Sequence, residues 1–173
     1  MGIRSINFNI VFLGLTTLVV LCMTAQVMAK NAAGSYSRDA GPYVDMDDYL
    51  QGSQRDAWSD ATYFLMKNFN DVCGDTFCEG EYSNIQELRY RCSVDANTGI
   101  VGECAWLFAA SEEQINPIDG KIIAQPKIWA CVSPLAPQTH AVDLVQALAN
   151  QRPLFSELPQ TDESLFDGLI DCL

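Results

Sequence analysis

The residues best suited to chemistry stand together in NDVCGDTFCEGEYSN, residues 70–84. The stretch holds two cysteines, Cys73 and Cys78, and four acids, Asp71, Asp75, Glu79 and Glu81. Such a set could bind a metal through carboxylates, act as a redox pair, or pin a corner of the chain with a disulfide. Oxygen ligands on a short loop match the demands of Ca²⁺. The EF-hand order of alternating acids, a glycine and a closing glutamate is absent, so a solvated surface is the first reading and a metal site the second. Four residues separate the cysteines, where a thioredoxin-type pair has two. Gly74 lets the backbone turn between them, and a disulfide-pinned corner is the favoured reading.

Other catalytic sets are poorly supported. His140 is the only histidine, and no G-x-S-x-G element is present. A Ser-His-Asp unit would have to be built around that one side chain, which falls in the exposed first turn of a predicted helix. Paired carboxylates could support a small hydrolase, but with 22 acids some pair is always close, so the signal carries no specificity. No cofactor is expected.

The N-terminus reads as a secretory signal peptide over residues 1–29. Arg4 supplies the positive end, IVFLGLTTLVVLCM (10–23) the apolar stretch, and Val27-Met28-Ala29 the small-residue cleavage site. A membrane-spanning helix needs roughly 20 apolar residues, more than this run supplies. The mature chain is therefore expected to be periplasmic or secreted, with no stable membrane insertion after cleavage.

Charge and cysteine content depend on that cleavage. Arg4 is the one Lys or Arg within residues 1–29, and every acid lies beyond them. The mature chain keeps nine basic residues against 22 acidic ones, a net charge of −13. A field of that sign repels nucleic acid and anionic lipid and favours a basic protein partner. Cys22 leaves with the signal. Six cysteines remain, Cys73, Cys78, Cys92, Cys104, Cys131 and Cys172, and an even number in an exported chain implies disulfides.

Secondary-structure elements must position these residues. Residues 30–45 have few apolar groups and no period, so a flexible leader is expected over 30–52, with a short helical turn at 46–51. Ser53 is the expected N-cap of a helix over 54–68. Ala57, Trp58, Ala61, Phe64, Leu65 and Phe69 repeat on one face of it. ELRYRCSVDANTGIVGECAWLFAAS reads as two strands around a turn closed by a left-handed Gly99. That turn pairs Ala96 with Ile100, and counting outward it sets Cys92 opposite Cys104, Tyr90 opposite Trp106 and Leu88 opposite Phe108. Leu88, Tyr90, Cys92, Val94, Cys104, Trp106 and Phe108 then share the buried face, and Arg89, Arg91 and Ser93 the other. A polar loop is expected over 112–120 and a third strand over 121–132, placed at an edge by Pro126. An amphipathic helix over 139–150 and a last helix capped by Thr161 close the chain.

The elements assemble as an α+β fold, a three-stranded antiparallel meander with helices packed on one face, in a single domain over 53–173. Cys92–Cys104 comes from the strand register and Cys73–Cys78 from the corner, which leaves Cys131–Cys172 as the third bridge. On the chain-entropy account that bridge is worth roughly 3–4 kcal/mol. Tyr90, Trp106 and Trp129 read as core before they read as a ligand groove. Arg89 and Arg91 could hold an anion, but ion pairs with Glu103 and its neighbours are the plainer expectation. The function expected from these observations is that of an acidic, disulfide-stabilised binding or accessory protein acting by surface contact, of inhibitor or immunity type. The alternatives are a small carboxylate-dependent hydrolase and a calcium-binding extracellular module.

Overall fold

Four antiparallel strands in the order β1-β2-β3-β4 make a sheet, with helices laid over one of its faces. The computed structural model describes residues 41–173, so the expected signal peptide and the first part of the leader lie outside the described residues. The strands are β1 (Tyr43–Asp45), β2 (Gln86–Asp95), β3 (Val101–Ile115) and β4 (Ile122–Val132). The helices are α1 (Met46–Tyr49), α2 (Ser53–Cys73), α3 (Ala141–Leu148) and α4 (Leu165–Ile170), with a 3₁₀ turn at Pro153–Phe155.

The meander β2-β3-β4 stands as expected, and β1 adds a fourth strand drawn from the stretch read as leader. Its three residues pair Tyr43 with Asp95, Val44 with Val94 and Asp45 with Ser93. A three-residue strand carries almost no periodic signal, so its place is set by the helical turn next to it in the chain. Met46 and Leu50 of that turn are fully buried, and their burial holds β1 against β2.

Cys92 lies opposite Cys104, and Tyr90 opposite Trp106. The turn differs in detail from the expected pairing of Ala96 with Ile100. Asp95 N–H donates to the Ile100 carbonyl at 2.9 Å, and Gly99, at φ +73°, donates to the Asp95 carbonyl at 2.8 Å. Val94 therefore pairs with Val101, and Gly102 is the extra residue that restores the frame at Ser93–Glu103. A Cβ on Gly102 would stand 2.7 Å from Tyr43 Cε1 and 2.8 Å from Ser93 Oγ, which is why glycine fits the bulge.

A second irregularity corrects the position of Leu88. The frame shifts between Glu87 and Arg89, so Glu87 and not Leu88 faces Phe108. Leu88 is 54% exposed. The expected face is otherwise observed, with Tyr90, Cys92, Val94, Cys104, Trp106 and Phe108 all buried.

The core lies between that face and α2. Phe69 meets the Phe108 ring at 4.7 Å and the Trp106 ring at 5.9 Å, and Trp58 meets Tyr90 at 5.6 Å. Burial pushes the Tyr90 phenol up in pKa, and its hydroxyl shares a 3.0 Å hydrogen bond with Ser133. Gly52, not Ser53, occupies the α2 N-cap position, and α2 runs past its expected end, to Cys73. The α4 cap is Ser164, not Thr161. Ser164 Oγ accepts from Asp167 N–H, while the Asp167 carboxylate accepts from Ser164 N–H, a reciprocal capping box.

Residues 112–115, expected in a loop, continue β3, because Ile115 pairs with Ile122 and the turn is confined to 116–121. Among the described residues, the opposite face of the sheet carries no helix.

Candidate functional site

Three disulfides join Cys73 to Cys78, Cys92 to Cys104 and Cys131 to Cys172, with Cα separations of 5.0, 4.0 and 5.6 Å. The middle value suits the closer, non-hydrogen-bonded kind of cross-strand pair. The Cys73–Cys78 corner is also closed by the backbone, since Cys78 N–H donates to the Cys73 carbonyl at 2.7 Å. Phe77, between the two cysteines, stacks on Phe69 at 5.8 Å and meets Phe166 at 5.6 Å. Helix α2 thus ends in an anchored turn that carries Glu79, Glu81 and Tyr82 out to the flank of β4.

There they form one wall of a cleft of about 540 Å³, with Lys127 and Trp129 of β4 forming the other. Residues 127, 129 and 131 alternate onto the helix-covered face of the sheet. Beyond the edge of α2 that face is open, so Lys127 is exposed while Cys131 is buried. The Tyr82 and Trp129 rings meet edge to face at 5.3 Å and 89°. Lys127 Nζ lies over both, 5.1 Å from the Tyr82 centroid and 4.6 Å from that of Trp129. A cation held there is drawn by the negative faces of the rings. The Tyr82 phenol is pushed up in pKa by desolvation, and then by the carboxylates of Glu81 and Glu112, so the surroundings of the ring are electronegative. The arrangement is an aromatic pair with acids beside it and one internal cation on its face.

No family model, curated protein or solved structure matches this chain.

The structure scatters the other residues singled out by sequence. Asp71 lies in the last turn of α2, Asp75 within the corner, and Glu79 and Glu81 on the cleft wall. Among the described residues, no three His, Cys, Asp or Glu side chains gather as a metal ion would require. Arg91 pairs with Asp45, and Arg89 with Asp47 at 3.3 Å. The acids that meet these arginines come from β1 and α1, not from Glu103 across the strands. Burial alone would raise the Asp45 pKa, but the Asp47 backbone N–H, 3.0 Å away, and the Arg91 guanidinium together hold it below the usual carboxylate value. His140 is exposed at the N-cap of α3.

Tyr90 and Trp106 are core residues, whereas Trp129 serves both core and cleft. Sequence reasoning missed Tyr82 and Lys127. The i, i+2 spacing of Lys127 and Trp129 on an edge strand was the available signal. Tyr82 comes to them only through the fold of the corner.

Proposed function

We propose that this protein is an exported, non-catalytic binding protein that takes a basic protein partner by surface contact, with the Tyr82–Trp129 cleft receiving a cationic side chain of that partner. The observation that carries the reading is Lys127 lying over both rings beside Glu79 and Glu81. The chain's own lysine is an example of the chemistry the site accepts. A formal charge of −12 over the whole chain favours approach of a basic partner. Three disulfides fit an oxidising compartment. Among the described residues no helix is long and apolar enough to cross a membrane.

Calorimetric titration with an arginine-rich peptide tests the reading. Tyr82→Leu removes an aromatic face and leaves the charge unchanged, so it separates cleft binding from general attraction to an acidic surface. Binding that weakens at least several-fold in Tyr82→Leu and in Glu79→Gln/Glu81→Gln supports the cleft. No binding, or binding indifferent to Tyr82→Leu, refutes it.

A further inference from the structure

We infer that a pocket between α2 and the Pro153–Phe155 turn binds a free α-amino acid with an apolar side chain. The pocket measures about 260 Å³, below the range of drug-sized sites and suited to one small molecule. Phe64, Lys67, Asn68 and Asp71 line it from α2, on the i, i+3, i+4, i+7 stripe of one helix face. Phe155 of the turn and Arg152 just before it line the other side. The pocket shares no lining residue with the Tyr82–Trp129 cleft, so its test is independent of the basic-partner reading.

Asn68 carries the argument. It is 7% exposed, and its Nδ2 donates to the Gln151 carbonyl at 3.2 Å. That bond fixes the orientation of the amide and leaves Oδ1 as an acceptor with no partner. Among the described residues no other buried side-chain nitrogen or oxygen is left so. Buried polar atoms are ordinarily hydrogen-bonded, and an orphaned acceptor on a pocket-lining side chain calls for a donor from outside the fold.

The charges around Asn68 narrow the choice of donor. Lys67 and Arg152 both line this pocket in a chain of formal charge −12, and neither forms an ion pair among the described residues. The Arg152 guanidinium lies over the Phe155 ring, 4.9 Å from its centroid, an attraction that holds it in place and leaves its N–H groups for a carboxylate. A plain carboxylate would answer the two cations, but it brings no donor to Asn68 Oδ1 and is repelled by Asp71. A plain cation would answer Asn68 and Asp71, one turn apart on α2, but is repelled by Lys67 and Arg152. An α-amino acid carries both charges on neighbouring atoms. Its carboxylate faces Lys67 and Arg152, its ammonium faces Asn68 Oδ1 and Asp71, and an apolar side chain covers Phe64 and Phe155.

Titration calorimetry with L-leucine and with L-phenylalanine, up to millimolar ligand, tests the inference. At least one of them is expected to bind saturably at a single site. The amide of that amino acid lacks the carboxylate and its N-acetyl derivative lacks the ammonium. Each should bind about ten-fold more weakly, the loss of one hydrogen-bonded charge. Arg152→Gln and Asn68→Leu should weaken binding to the same degree with the circular dichroism spectrum unchanged. Lys121→Gln makes the same change of charge as Arg152→Gln, at the β3–β4 turn, and should bind as the parent does. No saturable heat with either amino acid overturns the inference. So does binding that the N-acetyl derivative equals, that Arg152→Gln leaves unchanged, or that Lys121→Gln weakens as much.

Discussion

Glu87 Oε1 accepts a hydrogen bond from the indole Nε1–H of Trp106 at 3.1 Å. The bulge that turns Leu88 out to solvent turns Glu87 in, and so supplies a buried indole with its partner. An unpaired buried donor costs about 1–3 kcal/mol. Glu87→Leu is therefore expected to destabilise by about that amount, despite restoring an apolar residue opposite Phe108. Glu87→Gln keeps an acceptor oxygen and should stay within about 0.5 kcal/mol of the parent. Urea unfolding with unchanged m-values distinguishes the two.

The disulfides should rank by the length of chain they close. The sequence separations are 41 for Cys131–Cys172, 12 for Cys92–Cys104 and 5 for Cys73–Cys78. On the chain-entropy account, removing them as Cys→Ala pairs costs about 4, 3 and 2 kcal/mol in that order. The cleft adds a second expectation. Loss of Cys73–Cys78 should weaken cationic-peptide binding more than its small effect on stability would suggest, because the corner carries Tyr82. Denaturant midpoints and calorimetry on the three double variants check both.

Stability should fall on the acid side through Asp45. Its folded pKa lies below the ordinary 3.8, so its contribution is fully present above that pH and is lost as pH falls through the folded value. Asp167 behaves alike, its carboxylate lowered by hydrogen bonds from the Ser164 side chain and backbone. Asp45→Asn should flatten the decline below pH 3.8 and lower stability at neutral pH by about 1–2 kcal/mol. Thermal melts of parent and variant across the acid range measure this.

Lys127 occupies the aromatic face that the partner's cation would take. Lys127→Ala frees both rings and makes the chain more negative by one charge. It should bind an arginine-rich peptide more tightly, by a factor of about 3–5, the equivalent of one exposed cation–π contact. Weaker binding would mean that Lys127 belongs to the recognition surface and is not its internal competitor.

The sequence by itself determined the acidic composition, the three-strand meander, the helix-covered face and the two shorter cysteine pairs, Cys73–Cys78 and Cys92–Cys104, with Cys131–Cys172 reached only as the pair left over. The elements and the two shorter pairs rest on short-range chemistry. Alternation from Arg89 to Ser93, between the two bulges of β2 and β3, leaves one register that segregates Arg89 and Arg91 from Tyr90 and Cys92, and that register brings Cys92 to Cys104. The tertiary structure decided the rest. A bulge has no periodic signature, so the exchange of faces between Leu88 and Glu87, which gives Trp106 its acceptor, is visible only in the fold. Three residues cannot announce a strand, so β1 is held by the burial of Met46 and Leu50. The arginine partners Asp45 and Asp47 lie more than forty positions away in the chain. Tyr82 and Trp129, nearly fifty positions apart, form a site only once the Cys73–Cys78 corner folds one against the other. Contacts between residues so distant in sequence leave no local pattern, because their energy exists only after the core has brought them together.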